Sequence, residues 1–185
     1  MIKMYKTEEF TSDISTKDYL KDFVDIDYFL EFCKNCPHYG LNWGCPPFNF
    51  NSLDYWTKYN DLHIVARKIS FKEKIRNKTY TSDELNEILS KSLAIEKNKL
   101  LNSLMKMENE FENSVSISIG RCTICKDCSR EKNEKCINPE KLRHSMESLG
   151  ANVNKTITEI FNIEMNWIED YKLPDYLIIC AGLLY

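Results

Sequence analysis

The chain has 185 residues, a hydrophobic fraction of 43% and a formal net charge of −3. That length suffices for one domain, residues 1–185, with a core of its own, so metal is not needed merely to hold a small scaffold together. The acidic balance argues against a nucleic-acid partner, which requires a basic surface.

The first residues, Met1 to Glu9, carry charges where a signal peptide needs an apolar run. The longest apolar stretch, Tyr176 to Tyr185, is about half of what crosses a bilayer. Both observations predict a cytoplasmic protein with no membrane partner. Cytosolic thiols are kept reduced, so eight cysteines point to metal or catalysis before disulfides.

In chain order, residues 1–15 read as an irregular arm or an edge strand. Apolar residues recur at helical spacing from Tyr19 to Phe32, with Asp25 and Asp27 as caps that divide the stretch in two. Residues 36–52 hold two Gly and three Pro and read as a constrained loop. Leu62 to Phe71 reads as a strand. Thr81 and Glu84 form a capping box that opens a long helix at roughly 82–111, with Leu85, Leu89, Leu100, Leu104 and Phe111 on one side.

Val115 to Gly120 alternates as a half-buried strand does. Asn138-Pro139 predicts a helix start and Gly150 its stop. A further helix is expected from Thr156 to Trp167. Tyr176 to Ala181 is apolar on both faces and reads as a central strand. This order predicts an α/β or α+β fold, a single small sheet with helices packed on it and cysteine-rich metal-binding loops.

The second cysteine motif, within residues 120–140, is the sharper signal. Cys122, Cys125 and Cys128 follow one another at Cys-x-x-Cys spacing, and Cys136 arrives after seven intervening residues. Three close cysteines plus a distant one is how a chain wraps a [4Fe–4S] cubane. Zinc is the alternative, but a zinc knuckle normally supplies two ligands, which makes the third tight cysteine awkward.

The first motif, within residues 30–50, is Cys33-x-x-Cys36 followed by Cys45-Pro46-Pro47. It offers three thiolates for a second centre. Its fourth ligand is open among Cys180, His38, water, a substrate and a partner residue. Cys180 itself reads as a core thiol inside an apolar strand. His38 reads as a loop residue, and His63 and His144 as structural. Arg143 and Glu147 are spaced as an i,i+4 pair, with a role for Arg143 beside the cluster as the other possibility. Trp43, Phe48 and Phe50 read as an apolar cover over Cys45 or as ordinary core.

With both motifs in view, the chain resembles a prokaryotic family of predicted metal-binding proteins of unknown function. The residues that carry this are Cys33-x-x-Cys36-Pro37-x-Tyr39-Gly40-x-x-Trp43-x-Cys45-Pro46-Pro47, Gly120-x-Cys122-x-x-Cys125-x-x-Cys128, Cys136-x-x-Pro139 and Arg143-x-Ser145-x-Glu147-x-x-Gly150. They run from about residue 30 to the C-terminal end. The resemblance implies metal binding and no established reaction.

Three functions follow from the residues. The first is an iron–sulfur electron-transfer or redox accessory protein, with one or two [4Fe–4S] clusters and a redox partner protein. The second is an enzyme whose three-cysteine cluster leaves one iron open to a small substrate. The third is a zinc-stabilised binding module. A two-cluster carrier further requires the two cysteine groups to lie close in space.

Overall fold

The computed structural model describes residues 4–185. Four antiparallel strands form one sheet, β1 (Tyr5–Ser15), β2 (Asp61–Phe71), β3 (Val115–Ile117) and β4 (Tyr176–Leu184), in the order β1-β2-β4-β3. With its antiparallel sheet and separate helices, the fold is α+β. Of the first 15 residues, Tyr5–Ser15 form an edge strand, paired from Tyr5 against Phe71 to Ser15 against Asp61, and residues 1–3 lie outside the described residues. Arg67 ties the β1 and β2 edges with a bond to Glu9 at 2.5 Å and reaches Glu96 at 3.2 Å.

The inner strands β2 and β4 explain why Tyr176 to Ala181 is apolar on both faces. Side chains alternate across a strand. Leu62, Ile64, Ala66, Ile178 and Cys180 enter one core with Tyr19, Phe23, Trp56, Met146, Leu149 and Ile157. Val65, Ile69, Phe71, Leu177, Ile179 and Leu183 enter a second core with Leu85, Leu100 and Leu104. Both faces are therefore covered.

The first core is closed by α1 (Thr16–Phe23), α3 (Ser52–Trp56) and α7 (Val153–Phe161). Ser15 caps α1 by accepting from the Asp18 N–H at 3.1 Å. The neighbouring α2 (Ile26–Lys34) is capped by Asp25, which accepts from Tyr28 N–H at 3.0 Å. The short α4 (Glu73–Arg76) follows β2. The second core is closed by α5 (Ser82–Ser90) and α6 (Leu93–Met107).

The structure corrects three expected helices. The long helix at 82–111 begins on its capping box but breaks at Ser92. There the backbone leaves helical geometry (φ −127°, ψ −80°). The Ser92 hydroxyl donates to Ile88 carbonyl at 2.7 Å. Such a local side-chain bond competes with the helical ladder. The helix expected between Asn138 and Gly150 is instead two short 3-10 turns, Pro139–Lys141 and Glu147–Leu149, joined by extended backbone. The helix expected over 156–167 is shifted to 153–161, where Asn162 ends it in the left-handed conformation.

One ion pair anchors the segment after Cys136 to this platform. Arg143 Nε donates to Glu108 Oε1 at 2.8 Å and Nη2 to Oε2 at 2.6 Å. The Ser116 N–H and hydroxyl donate to the same Oε1 at 2.6 and 2.5 Å. Burial pushes the Glu108 carboxyl up, but these donors outweigh it and hold the group below its usual range. Both side chains are largely buried, at 11% and 15% exposure.

Removing one partner of such a pair strands the other charge, at a cost of about 3 kcal/mol. Glu108→Ala should therefore lower urea-derived stability by about that amount. A loss below about 1 kcal/mol would mark the pair as no stronger than a solvated surface bridge.

Candidate metal centre

Two loops carry the cysteines, and they are interlocked. The first runs from the end of α2 through Cys36 and Cys45 to α3. The second follows β3 and carries Cys122, Cys125, Cys128 and Cys136. Asn42 Nδ2 donates to the Cys122 carbonyl at 3.0 Å, and Asn42 Oδ1 accepts from the Gly44 N–H at 2.9 Å. A Cβ on Gly44 would lie 2.9 Å from the Cys122 Cβ and 3.1 Å from its nitrogen. Only glycine permits that approach. The two cysteine groups, far apart in sequence, do lie close in space.

Arg130 fastens the loops together. Its Nη1 donates to the carbonyls of Asn42 (2.9 Å) and Cys45 (2.6 Å), and its Nη2 to that of Pro47 (2.5 Å). Its guanidinium also lies 4.8 Å from the centroid of a Trp43 ring. Trp43 returns the contact, its indole N–H donating to the Glu134 carbonyl at 3.1 Å.

Cys122, Cys125, Cys128 and Cys136 line one small cavity of about 20 Å³, together with Asn42, Trp43, Ile124 and Asn138. Two donors point at its sulfurs. The Trp43 backbone N–H reaches Cys128 Sγ at 3.5 Å, and Asn138 Nδ2 reaches Cys125 Sγ at 3.2 Å. Burial pushes the Cys122 thiol up, the Ile124 N–H works against that, and Cys125, Cys136 and Cys128 add to the rise.

Cys33, Cys36 and Cys45 line a second cavity of about 260 Å³ with His38, Tyr39, Arg121 and Glu147. Burial first, then Cys36 and Cys33, push the Cys45 thiol up to about 11, with Arg130 opposing. Burial and Cys36 likewise raise Cys33. Lys97, from α6, donates to the Arg121 carbonyl at 2.8 Å; burial lowers its pKa, while Glu147, Cys122 and Cys45 pull the other way.

As they stand, no three His, Cys, Asp or Glu side chains among the described residues are arranged to hold a metal ion. The donor chemistry nevertheless fits one. Thiols that crowd together in a half-buried place resist ionisation, and a bound cation reverses that, because a coordinating thiol is deprotonated outright. All eight cysteines are free.

The remaining sequence candidates separate. Cys180 lies in the first core and lines neither cysteine cavity. His63 bonds Asp13 across the β1–β2 pair at 2.7 Å. The expected Arg143–Glu147 pairing does not form, because residues 142–146 are not helical and Arg143 is taken by Glu108. Glu147 faces the first cysteine group instead. Trp43 covers the four-cysteine cavity, whereas Phe48 and Phe50 stack on each other and pack against His144 and Tyr55. Sequence reasoning missed Arg130, Asn42 and Lys97, which no local motif marks.

Arg130→Ala strands three carbonyls and frees the loops. Residues that support metal ligands in this way are worth about 10–100-fold in affinity. Metal release to a competing chelator should show a loss of that size, and unchanged retention would place the loop closure elsewhere.

His144 gives a pH prediction. Burial pulls its imidazole down to about 4, against a hydrogen bond with the Gly44 backbone and with some help from Arg143. The folded ring stays neutral to about pH 4, whereas the unfolded one takes up a proton near 6.5. Between those values the unfolded chain binds more protons. Stability should therefore fall as pH drops from about 6.5 to about 4, by up to about 3 kcal/mol for this group. His144→Phe should flatten that part of the pH–stability curve relative to the parent; parallel curves would refute the assignment.

No helix among the described residues is long and apolar enough to cross a membrane. The chain matches no curated protein and no solved structure. A family model described as "predicted metal-binding protein" (DUF2284) matches residues 21–185, which takes in both cysteine loops and every strand of the sheet except β1. The protein therefore belongs to that family of predicted metal-binding proteins.

Proposed function

We propose that the protein is a cytoplasmic iron–sulfur electron-transfer or redox accessory protein. One cluster is held by Cys122, Cys125, Cys128 and Cys136, and a second by Cys33, Cys36 and Cys45. The observation that carries this is the four-cysteine cavity with N–H donors aimed at two of its sulfurs. Such donors set the potential of a cluster. When bound, a cluster supplies single-electron chemistry.

The chain's own residues supply the rest. Trp43 keeps water from the second group, and Asn138 and the Trp43 backbone hold Cys125 and Cys128 in place. Arg130, braced on the Cys45 carbonyl, offers a positive charge to the first group. The proximity of the two groups suits electron movement between them. Several exposed apolar side chains lie next to cysteines in sequence: Phe32, Ile124 and Ile137, at 58%, 41% and 68% exposure. They suit contact with a redox partner protein.

Zinc is the second reading. It is favoured by the four-cysteine cavity of about 20 Å³, which without side-chain movement has room for little more than a single small guest. An open-iron enzyme draws support from the larger cavity beside the three-cysteine group.

Anaerobic purification with iron, sulfide and zinc counted per chain decides among them. Iron with sulfide in equal amounts is expected, with a brown colour that bleaches on reduction; zinc alone would overturn the proposal. Single Ala replacements of Cys122, Cys125, Cys128 or Cys136 should each empty the second centre and lower stability, since a metal bound only to the folded chain stabilises it. Cys180→Ala should leave the metal count unchanged.

A further inference from the structure

The first cysteine group is one ligand short of four. Cys180 is not the missing one, since it lies in the core and lines neither cysteine cavity; it faces a cavity of about 580 Å³ whose wall Glu147 shares. His38 lines the cysteine cavity but is half-exposed, so water can satisfy its ring. Glu147 is in a different position. It lies in the 147–149 turn, lines the same cavity as Cys33, Cys36 and Cys45, and holds Oε2 buried with no hydrogen-bond partner.

The rest of that carboxyl is well supported. Burial pushes the carboxyl up, and the backbone N–H groups of Glu147 and Gly120 and the Ser145 hydroxyl work against that by favouring its ionised form. Lys97 does so from a distance, but its ammonium is engaged with the Arg121 carbonyl. A buried acceptor left unsatisfied costs about 1–3 kcal/mol, and more when charged. A metal in the adjoining cavity removes that cost.

We propose that Glu147 is the fourth ligand of the centre held by Cys33, Cys36 and Cys45, coordinating through Oε2. The donor set is then three sulfurs and one oxygen. A hard carboxylate oxygen binds iron differently from a soft thiolate, so the metal atom it holds is distinct from those held by sulfur alone. The identity of the metal as iron rests on the function proposed above; the ligation by Glu147 does not.

The test uses the full chain, reconstituted anaerobically with iron and sulfide, as wild type, Glu147→Gln and Glu147→Cys. Mössbauer spectra and iron counts are the readout, with the second centre's signal as an internal check on folding. In wild type one iron of the first centre should differ from the thiolate-bound ones. Glu147→Gln should lose that iron or shift its signal, and Glu147→Cys should restore a full count with thiolate-like parameters. A Glu147→Gln spectrum superimposable on wild type would overturn the inference while leaving the iron–sulfur reading standing. So would a wild-type first centre whose irons are all thiolate-like, or a first group without metal beside a loaded second one.

If the chain takes up zinc in place of iron and sulfide, the proposed function falls and the ligation is read by zinc X-ray absorption. In a Cys122→Ala, Cys125→Ala chain, whose second centre is empty, three sulfurs at about 2.3 Å and one oxygen at about 2.0–2.2 Å would uphold it. A fourth sulfur, or a nitrogen in place of the oxygen, would overturn it.

Discussion

The candidate site depends on one close approach, the backbone at Gly44 lying against Cys122. Everything around it follows from bringing two irregular loops into contact. Loops carry backbone carbonyls and N–H groups that no strand or helix satisfies, and burying them requires other partners. Here the partners are side chains. Asn42 supplies both an acceptor and a donor. Arg130 supplies a planar fork of several donors, which lets one residue satisfy three carbonyls from the facing loop. Lysine, a point charge on a flexible stem, would not reproduce that geometry.

The sheet makes the loops' meeting possible. β2 and β4 are buried on both faces, so the platform has two apolar cores of its own and does not wait on metal. The cysteine loops leave it at different points. The first is held by α2 and α3, and Gly150, at φ +93°, lets the chain pass Ile26 at the base of α2. The second leaves β3 and is brought back when Ser118 N–H bonds the His144 carbonyl at 2.7 Å and Met146 N–H bonds the Ser118 carbonyl at 3.2 Å. Arg143, paired with Glu108, fixes that return. The turn that places Glu147 in the cysteine cavity begins just beyond it.

What was legible in the sequence was whatever is decided locally. The Thr81–Glu84 capping box opens a helix as its residues demand, and the two-faced apolar run near Tyr176 is the inner strand it looks like. The cysteine spacings were legible for the same reason, since adjacent ligands must reach one centre from a short stretch of chain. What failed was decided by distant residues. The Asn138-Pro139 start signal is real, but only one 3-10 turn follows, and Arg143 is drawn out to Glu108 at the end of α6. Ser92 lies between two stretches of one apolar stripe and interrupts the helix where its hydroxyl donates to the Ile88 carbonyl. Arg130 carries no motif, and Glu147 stood in one only as the expected partner of Arg143; their places at the site exist only once the two loops meet.

The electrostatics of the site are uneven, and the unevenness has a source. The four-cysteine group receives N–H donors on Cys125 and Cys128. The three-cysteine group has a carboxylate on its wall and Cys36 exposed beside the half-buried Cys33 and Cys45. Arg130 is carried by the loop of the four-cysteine group but touches the Cys45 carbonyl, and its charge favours the Cys45 thiolate. Hydrogen bonds to sulfur, net charge and solvent exposure are the properties by which a protein sets the potential of a thiolate-held centre. Each of the three differs between these two groups. Two cysteine groups, brought side by side by the contact of their loops, are thereby given different surroundings, and those surroundings are supplied largely by residues other than the cysteines.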